Sequence, residues 1–233
     1  MNSFMKIIAL FASLFVSIFV FAQKNISPSE AEKLLQDTTI QLLDVRTPGE
    51  FQSGYIPHAL HADWLDKQEF NRRTEALDKN KPLLVYCASG GRSSQAAKWF
   101  EENGFKNVYN LDGGITAWKQ ENRAIKDAAN VEQMDMKTYQ SLIADAKSEM
   151  VLVDFGAEWC PPCRKMEPVL QQLQKDIPNE FTLIKIDGGV NTSLMKQVNA
   201  QNLPSFILYK NGKEVWRKEG VVAQDELKEQ LSK

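Results

Sequence analysis

Short apolar runs alternate with amphipathic stretches along most of the chain. Residues 40–45, 83–87 and 107–111 read as buried strands, and the stretch 93–103 between the last two repeats its apolar positions at helical spacing. That alternation predicts a parallel sheet covered by helices over roughly 26–118. Gly104 ends the helix after Cys87, and Gly113-Gly114 marks a turn before a further helical stretch over 115–120. Between about 121 and 132 the pattern lapses into a polar segment without aromatics, Gly or Pro, so it is neither a flexible coil nor a polyproline spacer.

A second alternation follows, opened by an amphipathic segment over 136–146. It predicts strand 150–155, a turn, helix 161–175, strand 181–187, helix 193–198, strand 205–209, strand 214–219 and helix 224–231. Asn211-Gly212 between the last two strands is a hairpin signal, so this sheet is expected to be mixed, with helices on both faces. The expected organisation is α/β throughout. A leader covers 1–22, a parallel-sheet domain 23–121, a linker 122–132 and a mixed-sheet domain 133–233.

The leader stands apart in composition. Lys6 precedes an uninterrupted apolar-and-serine stretch over 7–22 ending Val20-Phe21-Ala22, the pattern of a cleaved signal peptide. The competing reading, an uncleaved anchor, meets a stretch short of the ~20 apolar residues that span a bilayer. Export to the periplasm or beyond places the cysteines in an oxidising compartment. The formal net charge of -2 supplies no electrostatic footprint for nucleic acid. Arg72-Arg73 is the one paired arginine and reads as a solvated helix face.

Chemistry is concentrated in three cysteines. Cys87 ends an apolar strand and is followed by Ala88-Ser89-Gly90-Gly91-Arg92. Small residues let successive N–H groups turn toward one point, and Arg92 and a helix beginning near Ser93 add positive potential, so a thiolate there is stabilised. A buried structural cysteine is the plain alternative. Together with Asp44-Val45-Arg46, Glu50-Phe51, Gly54-Tyr55-Ile56-Pro57, Ala59, Gly113-Gly114-Ile115 and Trp118, the loop resembles a rhodanese (sulfurtransferase) domain. The resemblance implies that Cys87 carries sulfane sulfur as a persulfide, cradled by the backbone of Ala88, Ser89, Gly90, Gly91 and Arg92. Phosphate-ester or arsenate chemistry is the rival, but the four residues between Cys87 and Arg92 form a cradle better suited to sulfur. Tyr55 stands where the family often has His, and Ala88 leaves the loop with one cation, which disfavours dianionic thiosulfate. Arg46 and Glu50, four apart, are expected to form an ion pair.

Cys160 and Cys163 form Trp159-Cys160-Pro161-Pro162-Cys163. Such a pair is half a zinc site or a redox dithiol; zinc needs two more ligands, and His58 and His61 belong to the first domain. A helix opening with Pro161 favours Cys160 as attacking thiolate and Cys163 as resolving thiol. The segment 151–168 resembles thioredoxin, and the likeness runs to the C-terminus. It implies that Asp154 takes the proton of the resolving thiol, that Pro204 in Leu203-Pro204-Ser205 is cis beside the disulfide, and that Trp159 contacts substrate. Pro161 replaces the usual Gly and Gly156 a common Trp.

The two resemblances imply an exported thiol-disulfide oxidoreductase with a fused sulfurtransferase, without metal or cofactor. Its partners are a sulfane-sulfur donor (thiosulfate, polysulfide or persulfide), disulfide-bearing proteins, and a membrane or periplasmic reductase. The alternative is a protein disulfide reductase whose first domain is a non-catalytic binding module.

Overall fold

The computed structural model describes residues 24–126 and 132–233. The expected signal peptide and residues 127–131 of the expected linker lie outside the described residues. Among those described, no helix is long and apolar enough to cross a membrane.

The first domain runs β1 (Lys24–Ile26), α1 (Pro28–Leu34), β2 (Gln41–Asp44), α2 (Pro48–Gln52), β3 (Leu60–His61), α3 (Lys67–Thr74), β4 (Leu83–Tyr86), α4 (Gly91–Glu102), β5 (Val108–Leu111) and α5 (Gly114–Gln120). Its sheet has the order β1-β5-β4-β2-β3, every neighbour parallel. Each parallel pair requires a crossover, which the helices supply. All four residues of β4 are buried, because helices cover both faces of this central strand. One apolar cluster forms around Leu43, Val85, Ala97 and Phe100, and another around Leu42, Phe51, Tyr86 and Trp118. The short α2 is held by a capping box in which Thr47 and Glu50 satisfy each other's backbone N–H groups.

The second domain runs α6 (Met136–Ala144), β6 (Met150–Gly156), α7 (Pro161–Asp176), β7 (Thr182–Asp187), α8 (Thr192–Gln197), β8 (Ser205–Lys210), β9 (Lys213–Glu219) and α9 (Gln224–Leu231). Its sheet has the order β7-β6-β8-β9, with β6 parallel to β7 and both β6–β8 and β8–β9 antiparallel. Asn211 and Gly212 both adopt positive φ, 52° and 74°, as a two-residue hairpin turn requires. The sequence expectations of a parallel and then a mixed sheet thus describe the observed architecture.

The segment after α5 returns to the first domain. Lys126 and Tyr55 exchange backbone hydrogen bonds of 2.8 and 3.0 Å, so this part of the connection is an annex of the first domain.

Candidate functional site

Cys87 stands at the C-terminal end of β4, where a parallel sheet opens its loops. The chain turns at Gly90, whose φ of 98° lies in the left-handed region and which caps α4. The helix therefore starts at Gly91, two positions before the Ser93 expected from the sequence. The Gly90 N–H points at the Cys87 sulfur at 3.1 Å, and the Ser93 hydroxyl lies 3.4 Å from it. Burial pushes the Cys87 thiol up, but the Ser93 hydroxyl and the backbone N–H groups of Ser93, Ser89 and Gly90 outweigh it, and the thiol sits below its ordinary value. From behind, Ile115 and Thr116 donate to the carbonyls of Cys87 and Ala88 at 2.9 and 3.1 Å. That approach depends on Gly114: its φ is 57°, and a Cβ there would run into the Cys87 and Ala88 backbone.

The arginines differ from the sequence expectation. Arg46 does not pair with Glu50: it binds the fully buried Asp44 at 2.6 to 3.0 Å and the Gly54 carbonyl at 2.8 Å. A carboxylate with no solvent exposure needs a counter-charge at contact distance, and Arg46 is the cation beside it. Glu50 instead takes Arg92 through two hydrogen bonds of 2.8 and 2.6 Å. Arg92 and the Thr47 donors, working against burial, lower the Glu50 carboxyl to about 2. The one cation of the loop is thus neutralised by its partner, and the groups that hold the sulfur are backbone amides and Ser93.

In the second domain Cys160 and Cys163 are joined as a disulfide. Cys160 is itself the N-cap of α7, with its sulfur 3.3 Å from the Cys163 N–H, while Pro161 and Pro162 occupy positions where a missing N–H costs little. Asp154 on β6 is 8% exposed and its Oδ1 has no hydrogen-bond partner among the described residues. Burial pushes its carboxyl up to about 7; Lys185 opposes the shift and Glu167 adds to it. Lys185 is itself held by Glu167 at 2.6 and 2.7 Å. Asp154, Cys163, Glu167 and Lys185 line a common cavity of about 500 Å³. Gly156 borders it, and a Cβ there would make ordinary contact with Asp154 at 3.5 Å and with Cys163 at 3.7 Å. A carboxyl poised near neutrality in one cavity with the Cys163 sulfur can take or return a proton at physiological pH. The Leu203–Pro204 peptide is cis, and Leu203 packs in one apolar cluster with Cys160.

The two domains meet at Trp159. Its carbonyl accepts the His61 N–H at 2.7 Å, and its ring packs against Phe51 and His61, each with centroids 5.7 Å away. The Arg73 guanidinium lies 4.9 Å from the ring centroid. Arg72 donates to the Leu203 carbonyl at 3.0 Å, and Glu69 holds both arginines. The pair expected as a solvated helix face is therefore a contact between domains, with side chains 31% and 12% exposed. Arg72 turns inward to the Leu203 carbonyl and Arg73 to the face of the Trp159 ring, while Glu69 of their own helix holds both. The His61 ring sits in the same contact: the Arg46 carbonyl, 2.9 Å from Nε2, can only accept, so Nε2 carries the proton and Nδ1 accepts from Arg73 at 3.2 Å. Burial and the Arg73 charge lower the His61 ring to about 4, which keeps it neutral. Glu158 adds a rim, binding Lys126 at 2.8 Å and His58 at 3.1 Å.

Of the residues singled out from the sequence, Cys87, Ser89 and Gly90 gather around one sulfur. Gly91 begins α4, the Ala88 carbonyl anchors the loop to α5, and Arg92 faces Glu50. Cys160, Cys163, Asp154, Trp159 and Pro204 belong to the second domain. Sequence reasoning missed Ser93, Glu167 and Lys185 as neighbours of the sulfurs, Glu50 as the partner of Arg92, and His61, Arg72 and Arg73 as the surface beneath Trp159. Ser93 had a signal, a hydroxyl in the first turn of a helix opening at a cysteine. The others become visible only when strands distant in sequence pair.

Comparison with known proteins gives two matches in tandem. The family model described as Rhodanese-like domain matches residues 27–121, and that described as Thioredoxin matches residues 130–233. The thiosulfate sulfurtransferase GlpE of Coxiella burnetii is 41% identical over 96 residues, covering 41% of this chain and 87% of that protein. A thioredoxin of Chlamydia trachomatis is 40% identical over 86 residues, covering 37% of this chain and 83% of that protein. Thioredoxin X of Arabidopsis thaliana chloroplasts is 28% identical over 128 residues, covering 54% and 70% respectively.

Proposed function

The chain belongs to the rhodanese-like family through its first domain and to the thioredoxin family through its second, and on those two memberships we propose that one polypeptide both carries sulfane sulfur and reduces it. Fused domains of these kinds mark an enzyme of redox or sulfur-transfer type. In the finer reading Cys87 takes sulfane sulfur from a donor and holds it as a persulfide. The Cys160 thiolate attacks the outer sulfur, leaving the Cys87 thiolate and a persulfide on Cys160. Cys163, deprotonated toward Asp154, then attacks the Cys160 sulfur. The outer sulfur leaves as hydrosulfide, and the Cys160–Cys163 disulfide forms. The sulfane sulfur gains two electrons and the dithiol loses two, so each turnover needs an external reductase.

The observation that carries this reading is the docking of Trp159, next to Cys160, on the domain that holds Cys87. The relative named a thiosulfate sulfurtransferase supports thiosulfate as a donor. The neutralisation of Arg92 by Glu50 favours polysulfide or persulfide over a dianion. Disulfide-bearing proteins are the second substrate class. An exported location, with a periplasmic or membrane reductase, rests on Lys6 and the apolar stretch after it; N-terminal sequencing of the secreted or periplasmic protein tests it, and a mature chain beginning at Met1 would remove that part.

The decisive experiment mixes reduced protein with thiosulfate or a polysulfide in a single turnover and follows sulfide and the Cys160–Cys163 disulfide together. Equal amounts of both, abolished in Cys87→Ser, are expected. A second reading, a protein disulfide reductase whose first domain only binds, is favoured by the 1% exposure of Cys87. It predicts insulin reduction with no disulfide formed on exposure to the sulfur donor.

A further inference from the structure

Cys160 opens α7 at the end of a loop, yet it has no exposed surface. The backbone on each side of it is already engaged by the first domain. Trp159, its chain neighbour, gives its carbonyl to His61, and Leu203, its neighbour in the apolar cluster, gives its carbonyl to Arg72. The Trp159 ring is covered by Phe51, His61 and Arg73. The covering surface is itself stiffened. Glu69 binds Arg72 at 2.7 and 2.9 Å and also binds Arg73, and His61 is locked between the Arg46 carbonyl and Arg73.

Thiol–disulfide exchange runs through a mixed disulfide, so the attacking sulfur must reach the substrate's sulfur with the substrate's own chain alongside. A protein disulfide brings backbone and bulk with it, and the carbonyls at 159 and 203 have no place for either while the domains are docked.

We propose that the surface of the first domain formed by Phe51, His61, Arg72 and Arg73 is a specificity gate for the dithiol, which withholds Cys160 from protein disulfides while docked and admits them when it releases Trp159. The inference rests on the reading of Cys160 as the attacking thiol. It adds that the fusion is selective as well as coupling: arginines of one domain determine which substrates of the other are reached. Arg72 and Arg73 act through the dock and touch no reacting atom.

The test uses the reduced full-length chain. A maleimide bearing a polyethylene glycol chain is the bulky probe, and its addition to the Cys160 peptide is timed by mass spectrometry in the parent and in Arg72→Ala/Arg73→Ala. Insulin reduction is timed in parallel. The double variant is expected to accelerate both by on the order of tenfold as the undocked population grows. Lys175→Ala, in the last turn of α7, leaves both unchanged. Equal rates in parent and double variant overturn the gate. If circular dichroism shows that the double variant has lost its fold, the His61 amide of the parent decides. Slow hydrogen exchange there supports the dock, and exchange at the rate of an open peptide overturns it. Neither assay reads sulfide, so a chain that fails to pass sulfur from Cys87 still tests the gate, and a gate that fails leaves the sulfur-transfer experiment intact.

Discussion

The Glu50 carboxylate takes both terminal nitrogens of the Arg92 guanidinium, at 2.6 and 2.8 Å. The next residue, Phe51, packs on Trp159. Helix α2 thus touches the Cys87 loop on one side and the dithiol loop on the other.

The ion pair makes the first domain sensitive to acid. Glu50 is depressed to about 2 in the folded chain, against ~4.3 when unfolded. Its contribution is therefore fully present above the unfolded value and is lost as pH falls through about 2. With its side chain 36% exposed, solvent screening reduces that contribution to about 1 kcal/mol. Urea unfolding of the first domain between pH 6 and pH 2 should show the loss, and Glu50→Gln should flatten it. An unchanged slope in the variant would remove the pair from the account.

Ser93 should tune the nucleophile. The Cys87 thiol lies below its ordinary value because the Ser93 hydroxyl and loop amides outweigh burial. The pH midpoint of Cys87 alkylation is expected below the ~8.5 of a free cysteine. Ser93→Ala should move it upward, because a hydroxyl that stabilises the thiolate is lost while burial remains. A midpoint that stays put would leave the backbone amides as the whole cause.

Gly114→Ala should damage the first site while sparing the second. The substitution forces a side chain into a positive-φ position against the Cys87 and Ala88 backbone, at a cost of about 1–3 kcal/mol. Sulfur transfer should fall sharply with insulin reduction unchanged. Transfer at the parental rate would mean that the loop relaxes around the methyl.

Asp154 should make the oxidised second domain less stable as pH rises. Its carboxyl is raised to about 7 in the folded state, chiefly by burial. The folded chain therefore binds the extra proton between the unfolded value, ~3.9, and about 7, and stability declines across that window, by roughly 3–4 kcal/mol in all. Asp154→Asn should abolish the decline, read as denaturant midpoints at pH 4.5 and pH 8. A parent whose midpoint is the same at both would show that the carboxyl is already ionised at acid pH.

Much of this protein was legible in its order of residues because the determinants are local. The cysteine spacing, the small residues after Cys87, the prolines opening α7 and the Asn211-Gly212 turn act on their own few neighbours through φ, helix caps and the first turn's free N–H groups. Apolar runs long enough to show a period announced β4, β6 and α7. The brief α2 and β3 were not foreseen: β3 spans Leu60–His61 alone, too short for any period to emerge. The partners of the charged residues were out of reach for another reason. Glu50 meets Arg92 across 42 positions and Arg72 meets the Leu203 carbonyl across 131, and such pairs exist only once strands and domains have packed. Arg46 and Glu50, four apart, were expected to pair; the burial of Asp44 beside Arg46 reassigned the cation. The chemistry of each sulfur was thus written in its neighbours along the chain, whereas the company it keeps, and what can reach it, was decided by tertiary packing, which alone sets dielectric and distance.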